Sequence, residues 1–230
     1  MSTSKIYLPL AIPLFISLFI ACGPSTLDPS EVPAHYRIHP FDEETQTFKL
    51  DELTYPGNQP TDPETGEIMP EPVRDWTYTD QMGRTLTNKD LLGKVYVADF
   101  FFGSCPTICP KVKQQQLRLQ EAFADEPDFR MISFTVDPKR DTIARLFDYA
   151  DRLGVTDHDR WRFLRGDKLF TYEMDEDYLS IAEENPDAPG GFDHTGYLVL
   201  VDRKGMVRAY ANGTDPEAVT HFIDDVKILF

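Results

Sequence analysis

The run Val95 to Phe102, VYVADFFF, is apolar at every position except Asp99. A strand with one wet face alternates polar and apolar residues, whereas a near-continuous apolar run needs cover on both faces, so a layered sheet is required. The period changes directly afterwards. From Pro110 to Phe123 the apolar residues Val112, Leu119, Ala122 and Phe123 recur at helical spacing, with Pro110 suited to a first helical turn. The pattern then repeats. RMISFTV (130–136) reads as a second strand, and a helix from near Asp141 to Gly154 places Ile143, Leu146, Phe147, Ala150 and Leu153 on one face.

WRFLRG (161–166) supplies a third strand, followed by an acidic, irregular stretch to Asp193. Tyr197 to Val201, the turn Asp202 to Gly205 and Met206 to Tyr210 form a strand pair. The last helix is capped by Asp215, begins at Pro216, and buries Val219, Phe222, Ile223, Val226 and Phe230. Ahead of the first buried strand, WTYTDQMGRTLT alternates around Gly83 as a hairpin does. This order predicts an α/β domain over 76–230: a mixed sheet flanked by helices, with an N-terminal hairpin extension.

The residues before Trp76 differ in kind. Lys5 precedes an apolar stretch from Ile6 to Ile20, and Ala21-Cys22-Gly23 follows. That stretch is interrupted by Pro9 and Pro13 and is shorter than the roughly 20 residues needed to span a bilayer. It resembles a bacterial lipoprotein signal over 1–21, which implies cleavage after Ala21 and lipid on Cys22. The segment 22–75 is rich in proline and acids and reads as a lipid-anchored tether and lead-in. Within it His35 and His39 have helical spacing, but Pro33 and Pro40 oppose a helix, so they read as a solvated pair. A net charge of -16 with no basic cluster excludes nucleic acid as a partner.

With Cys22 assigned to lipid, Cys105 and Cys109 are the only thiols of the exported domain, in a compartment where disulfides persist. They lie where a buried strand gives way to a helix, and a helix N-terminus stabilises a thiolate. Four steps of helical rise separate the Cα atoms by about 6 Å, within disulfide range. A structural staple across so short a loop constrains the unfolded chain little. A thioredoxin-type redox pair has two intervening residues, whereas here there are three, which favours a metal without excluding redox work. A third ligand is then needed. His194, in GGFDHTGYLVLV, precedes a core strand whose end belongs near the cysteine loop. His158 is a weaker candidate, and His221 falls on the polar side of the last helix. Two thiolates and one imidazole suit copper, Cu(I) above all.

The motifs GKVYVADFFFGSCPTICP, FTVDPKRDT, WRFLRG, DHTGYLVLVDRKG and YANGTD occur in this order. In that set the chain resembles the SCO/SenC family of copper-binding assembly factors of cytochrome c oxidase. The resemblance implies a thioredoxin-like fold and copper, as Cu(I) and also Cu(II), on Cys105, Cys109 and His194. Asp137 matches the family pattern as a second-shell residue, with a turn or cap role as its alternative. The family often has Thr where this chain has Arg165. The implied partners are the dinuclear copper site of oxidase subunit II, a thioredoxin-like reductant for the redox-active pair Cys105 and Cys109, and the membrane through the lipid anchor. The implied location is the extracytoplasmic face of a bacterial inner membrane. A thiol-disulfide oxidoreductase without metal transfer is the competing function.

Overall fold

A computed structural model describes residues 35–37, 41–42, 47–48, 62–66, 71–180 and 182–230. Residues 1–21, read above as a signal, together with Cys22 and His39 lie outside the described residues.

In chain order the strands are β1 (His35–Arg37), β2 (Phe41–Asp42), β3 (Thr47–Phe48), β4 (Thr77–Asp80), β5 (Thr85–Thr87), β6 (Val95–Phe101), β7 (Phe129–Thr135), β8 (Trp161–Arg165), β9 (Ala182–Glu184), β10 (Phe192–His194), β11 (Tyr197–Val201) and β12 (Val207–Asn212). The α-helices are α1 (Cys109–Ala122), α2 (Ile143–Leu153), α3 (Lys168–Met174) and α4 (Pro216–Ile228). One mixed sheet runs β1-β12-β11-β6-β7-β8-β4-β5. β6, β7 and β8 are parallel, as the crossover helices α1 and α2 require, and the remaining pairings in the sheet are antiparallel.

The apolar run at Val95 is covered on both sides because its pleat feeds two cores. Val95, Val97 and Phe101 pack with residues of α1, α2 and α4, including Leu119, Leu146, Val219 and Phe222. Tyr96, Ala98, Phe100 and Phe102 pack on the other face with Trp76, Tyr78, Phe134, Met174 and Tyr178. On that aromatic side the polar tips are satisfied in place. Trp76 Nε1 donates to the Tyr178 hydroxyl at 2.9 Å, and Tyr78 bonds Thr171 at 2.7 Å.

Helix ends follow local chemistry. Asp215 accepts from the backbone N–H groups of Glu217 and Ala218, and Gly154 closes α2 in the left-handed region at φ 93°. The hairpin at Gly83 forms as β4–β5 and joins the sheet edge through β8.

Several expectations are corrected. Phe147 is 40% exposed and stacks on His158 at a centroid distance of 5.1 Å, because its place on α2 lies past the edge of the buried stripe. Ala122 is exposed, and Phe230 lies beyond the end of α4, also exposed. The stretch before Asp193 is not irregular. It contains α3, a 3-10 turn over Asp175–Tyr178, and the hairpin of β9 and β10. His35 lies in a strand that extends the sheet by pairing with β12, so the lead-in contributes to the fold rather than acting only as a tether. Among the described residues no helix is long and apolar enough to cross a membrane.

Candidate metal centre

The parallel strands β6 and β7 end at one edge of the sheet. Strand β11 runs antiparallel to β6, with Val199 opposite Ala98 and Val201 opposite Tyr96, so the start of β11 lies at that same edge. This topology brings His194, which closes β10 just before β11, to the loop between β6 and α1.

Cys109 is the first residue of α1 and is buried; Cys105 sits half-buried in the preceding loop and packs against both cores. The His194 Nε2 atom lies 3.5 Å from Cys109 Sγ and 3.9 Å from Cys105 Sγ. All three ligand atoms fall within 4.8 Å of one another. The imidazole is aimed by its other nitrogen: Nδ1–H donates to the Thr195 carbonyl at 3.2 Å, which leaves the Nε2 lone pair facing the sulfurs. Phe102 and the imidazole pack in a T-shaped pair, at 5.5 Å between centroids and 75° between planes.

The two thiols differ electrostatically. The hydrogen bond from Cys109 holds Cys105 well below the ordinary thiol range, against the opposing effect of burial. Cys109 is pushed up, first by donating to Cys105 and then by burial. Without metal the pair is therefore a Cys105 thiolate that accepts the Cys109 S–H. A soft cation that displaces this proton gains two thiolates and one imidazole, a donor set that fits Cu(I).

Asp137 is placed in a turn and is not one of the three clustered groups. Its carbonyl accepts from the Arg140 and Asp141 N–H groups, and its carboxylate pairs with Arg140 at 3.3 Å. His158 bonds Gln81, and His221 is exposed on α4, so neither is part of the cluster.

Sequence reasoning missed Asp141. Its carboxylate accepts from the Gly103 N–H at 2.9 Å and from the Thr135 hydroxyl, which pins the cysteine loop to the end of β7. Arg165 in turn donates to the Asp141 and Pro138 carbonyls at 3.1 and 2.9 Å. The available signal was the second acid of VDPKRD, which reads from sequence as a helix-start residue.

Fold and site together define a thioredoxin-like domain with a thiol and imidazole centre for a soft metal. Residues 67–227 match the family described as SCO1/SenC. The chain belongs to that family. It is 33% identical over 175 residues to the SCO1 protein homolog of Bacillus subtilis, covering 74% of this chain and 86% of that one. Its structure is similar to that of BsSco, a member of the Sco family of cytochrome c oxidase assembly proteins with a disulfide switch, at TM-score 0.60 and 30% identity, covering 75% of this chain and 98% of that one. It is also similar to copper-bound ScoI of Bradyrhizobium japonicum, at TM-score 0.58 and 27% identity over 70% of this chain and all of that one.

Proposed function

We propose that this chain is a lipid-anchored, extracytoplasmic copper chaperone. It binds one copper through Cys105, Cys109 and His194 and delivers it to the dinuclear copper site of cytochrome c oxidase subunit II, or keeps the cysteines of that site reduced. The observation that carries this reading is the convergence of two sulfurs and an oriented imidazole nitrogen within 4.8 Å. The copper-bound ScoI relative and the oxidase-assembly description of BsSco support it. The apolar leader ending at Cys22 supports the lipid anchor.

Metal analysis of the reduced chain after exposure to Cu(I) tests the site. His194→Ala should lower copper retention at least tenfold in competition with a chromophoric Cu(I) chelator; wild-type affinity in that variant would remove His194 from the site.

A second reading is favoured by the paired free thiols at a helix start: a thiol-disulfide oxidoreductase, recharged by a thioredoxin-like reductant. Turnover on an oxidised protein substrate, undiminished when copper is chelated, would favour it.

A further inference from the structure

His194 reaches the cysteines on a small element of its own. Its strand β10 pairs with β9 in a two-stranded sheet, separate from the eight-stranded sheet whose strand β6 leads into the cysteine loop. A two-stranded hairpin is marginal in water by itself. The aim of the imidazole therefore depends on what ties the hairpin, 182–194, to its surroundings. The segment that follows β8 supplies one set of ties. Lys168 pairs with Glu184, and the Asp175 carboxylate accepts from the Ala182 N–H, in register opposite His194.

A different tie runs to the turn between β7 and α2. Arg140 Nη1 donates to the Gly190 carbonyl at 3.4 Å, while its Nε stands 3.3 Å from Asp137 Oδ2. The root of this side chain is fixed, because the Arg140 N–H donates to the Asp137 carbonyl at 3.1 Å and to Asp137 Oδ1 at 3.3 Å. Asp137 is buried and its Oδ2 accepts no hydrogen bond, so the guanidinium is the countercharge that a buried carboxylate requires. The Asp137 N–H donates in turn to Thr135 Oγ1 at 3.1 Å, and Thr135 shares the Asp141 carboxylate with the Gly103 N–H of the cysteine loop. Polar contacts thus run from the hairpin to the cysteine loop through Arg140. Gly190 is also where the two meet by packing. A Cβ there would stand 2.6 Å from the Phe102 ring and 3.4 Å from Pro106, and Phe102 packs on His194.

We propose that Arg140 is a positioning residue for His194: its guanidinium, anchored by Asp137, holds the Gly190 carbonyl and so keeps the hairpin seated against the cysteine loop with the imidazole aimed at the sulfurs. The inference rests on the reading of Cys105, Cys109 and His194 as a copper centre. The shape of the group matters as much as its charge. Nε and Nη1 are two donors on one rigid plane and span the carboxylate and the carbonyl together, whereas a lysine ammonium is a point charge on a flexible stem. Because Arg140 is exposed and its bonds are long, the effect is modest, about threefold on each equilibrium it touches.

The test compares the full chain with Arg140→Ala, Arg140→Lys and the double variant Asp137→Asn, Arg140→Ala. The double variant leaves no buried carboxylate without its countercharge, so it carries the test if Arg140→Ala alone unfolds. In the reduced, copper-free chain, backbone hydrogen exchange over 182–194 should quicken about threefold in every variant, while exchange in β6 stays as in the parent. Cu(I) retention against a chromophoric chelator should fall about threefold, and in a His194→Ala chain Arg140→Ala should cause no further fall. Parental exchange across the hairpin in whichever alanine variant folds overturns the proposal. So does an Arg140→Lys chain that exchanges like the parent, which would reduce Arg140 to a charge, and so does a copper loss that persists without His194. A parent chain that holds no Cu(I), with exchange still quickened in the variants, removes the copper reading and leaves the tie through Arg140 standing.

Discussion

Gly190 has no room for a methyl group. A Cβ there would meet the Phe102 ring at 2.6 and 2.8 Å, and its φ of +88° is strained for any other residue. Phe102 in turn packs against His194 and Phe192, so the glycine reaches the metal centre through one ring. Gly190→Ala should cost about 1–3 kcal/mol of stability, measured by urea unfolding, and should weaken Cu(I) retention by displacing the imidazole. A variant as stable as the parent would show that Phe102 shifts freely. Asp141 acts on the cysteine loop through the Gly103 N–H. Neither residue touches the ligand position, yet each bears on a group that does. Local patterning could not rank them, because both contacts join segments distant in the chain.

At the scale of elements, the ordered segment between β8 and β11 is what delivers His194. It is held by the Ser180–Thr195 hydroxyl bond at 2.7 Å and by the ion pair of Lys168 with Glu184. Asp175 opens its 3-10 turn and is buried with one carboxylate oxygen unpartnered. Burial raises its pKa from 3.8 to about 7. The folded state thus binds the proton more tightly than the unfolded chain, so this group's contribution is most favourable at low pH. It declines as pH rises from about 4 to about 7 and is constant above that range. Asp175→Asn removes the dependence, so the variant should gain stability relative to the parent across this window, measured by urea unfolding at its two ends. A stability difference that is the same at both ends would show that Asp175 does not titrate in the window. Sequence reading treated this segment as irregular because its elements are short and acidic, with too few apolar residues to set a period.

For the whole molecule, stability and site draw on different elements, with α4 closing the core and the start of α1 and its preceding loop carrying the thiols. Phe222, on α4, is wholly buried in the core and is distant from the cysteine loop in sequence and element. Phe222→Ala should lose about 3–5 kcal/mol in urea unfolding, while the fraction that remains folded should hold Cu(I) as the parent does. Copper loss in excess of unfolding would show that the α4 layer governs the centre. The buried strand, the strand-helix alternation, the hairpin at Gly83 and the caps at Asp215 and Gly154 were legible because each is set by neighbours a few residues apart. Cys105 and Cys109 were legible for the same reason, and His194 by its place before a core strand. The sequence by itself thus determined the layered α/β class, the paired thiols at a helix start and a candidate third ligand. Only the tertiary structure decided that Asp137 belongs to a turn, that Asp141 braces the loop, and that Lys113 is buried against Asp99. Those outcomes depend on strand order and packing across long stretches of chain, which residue spacing does not encode.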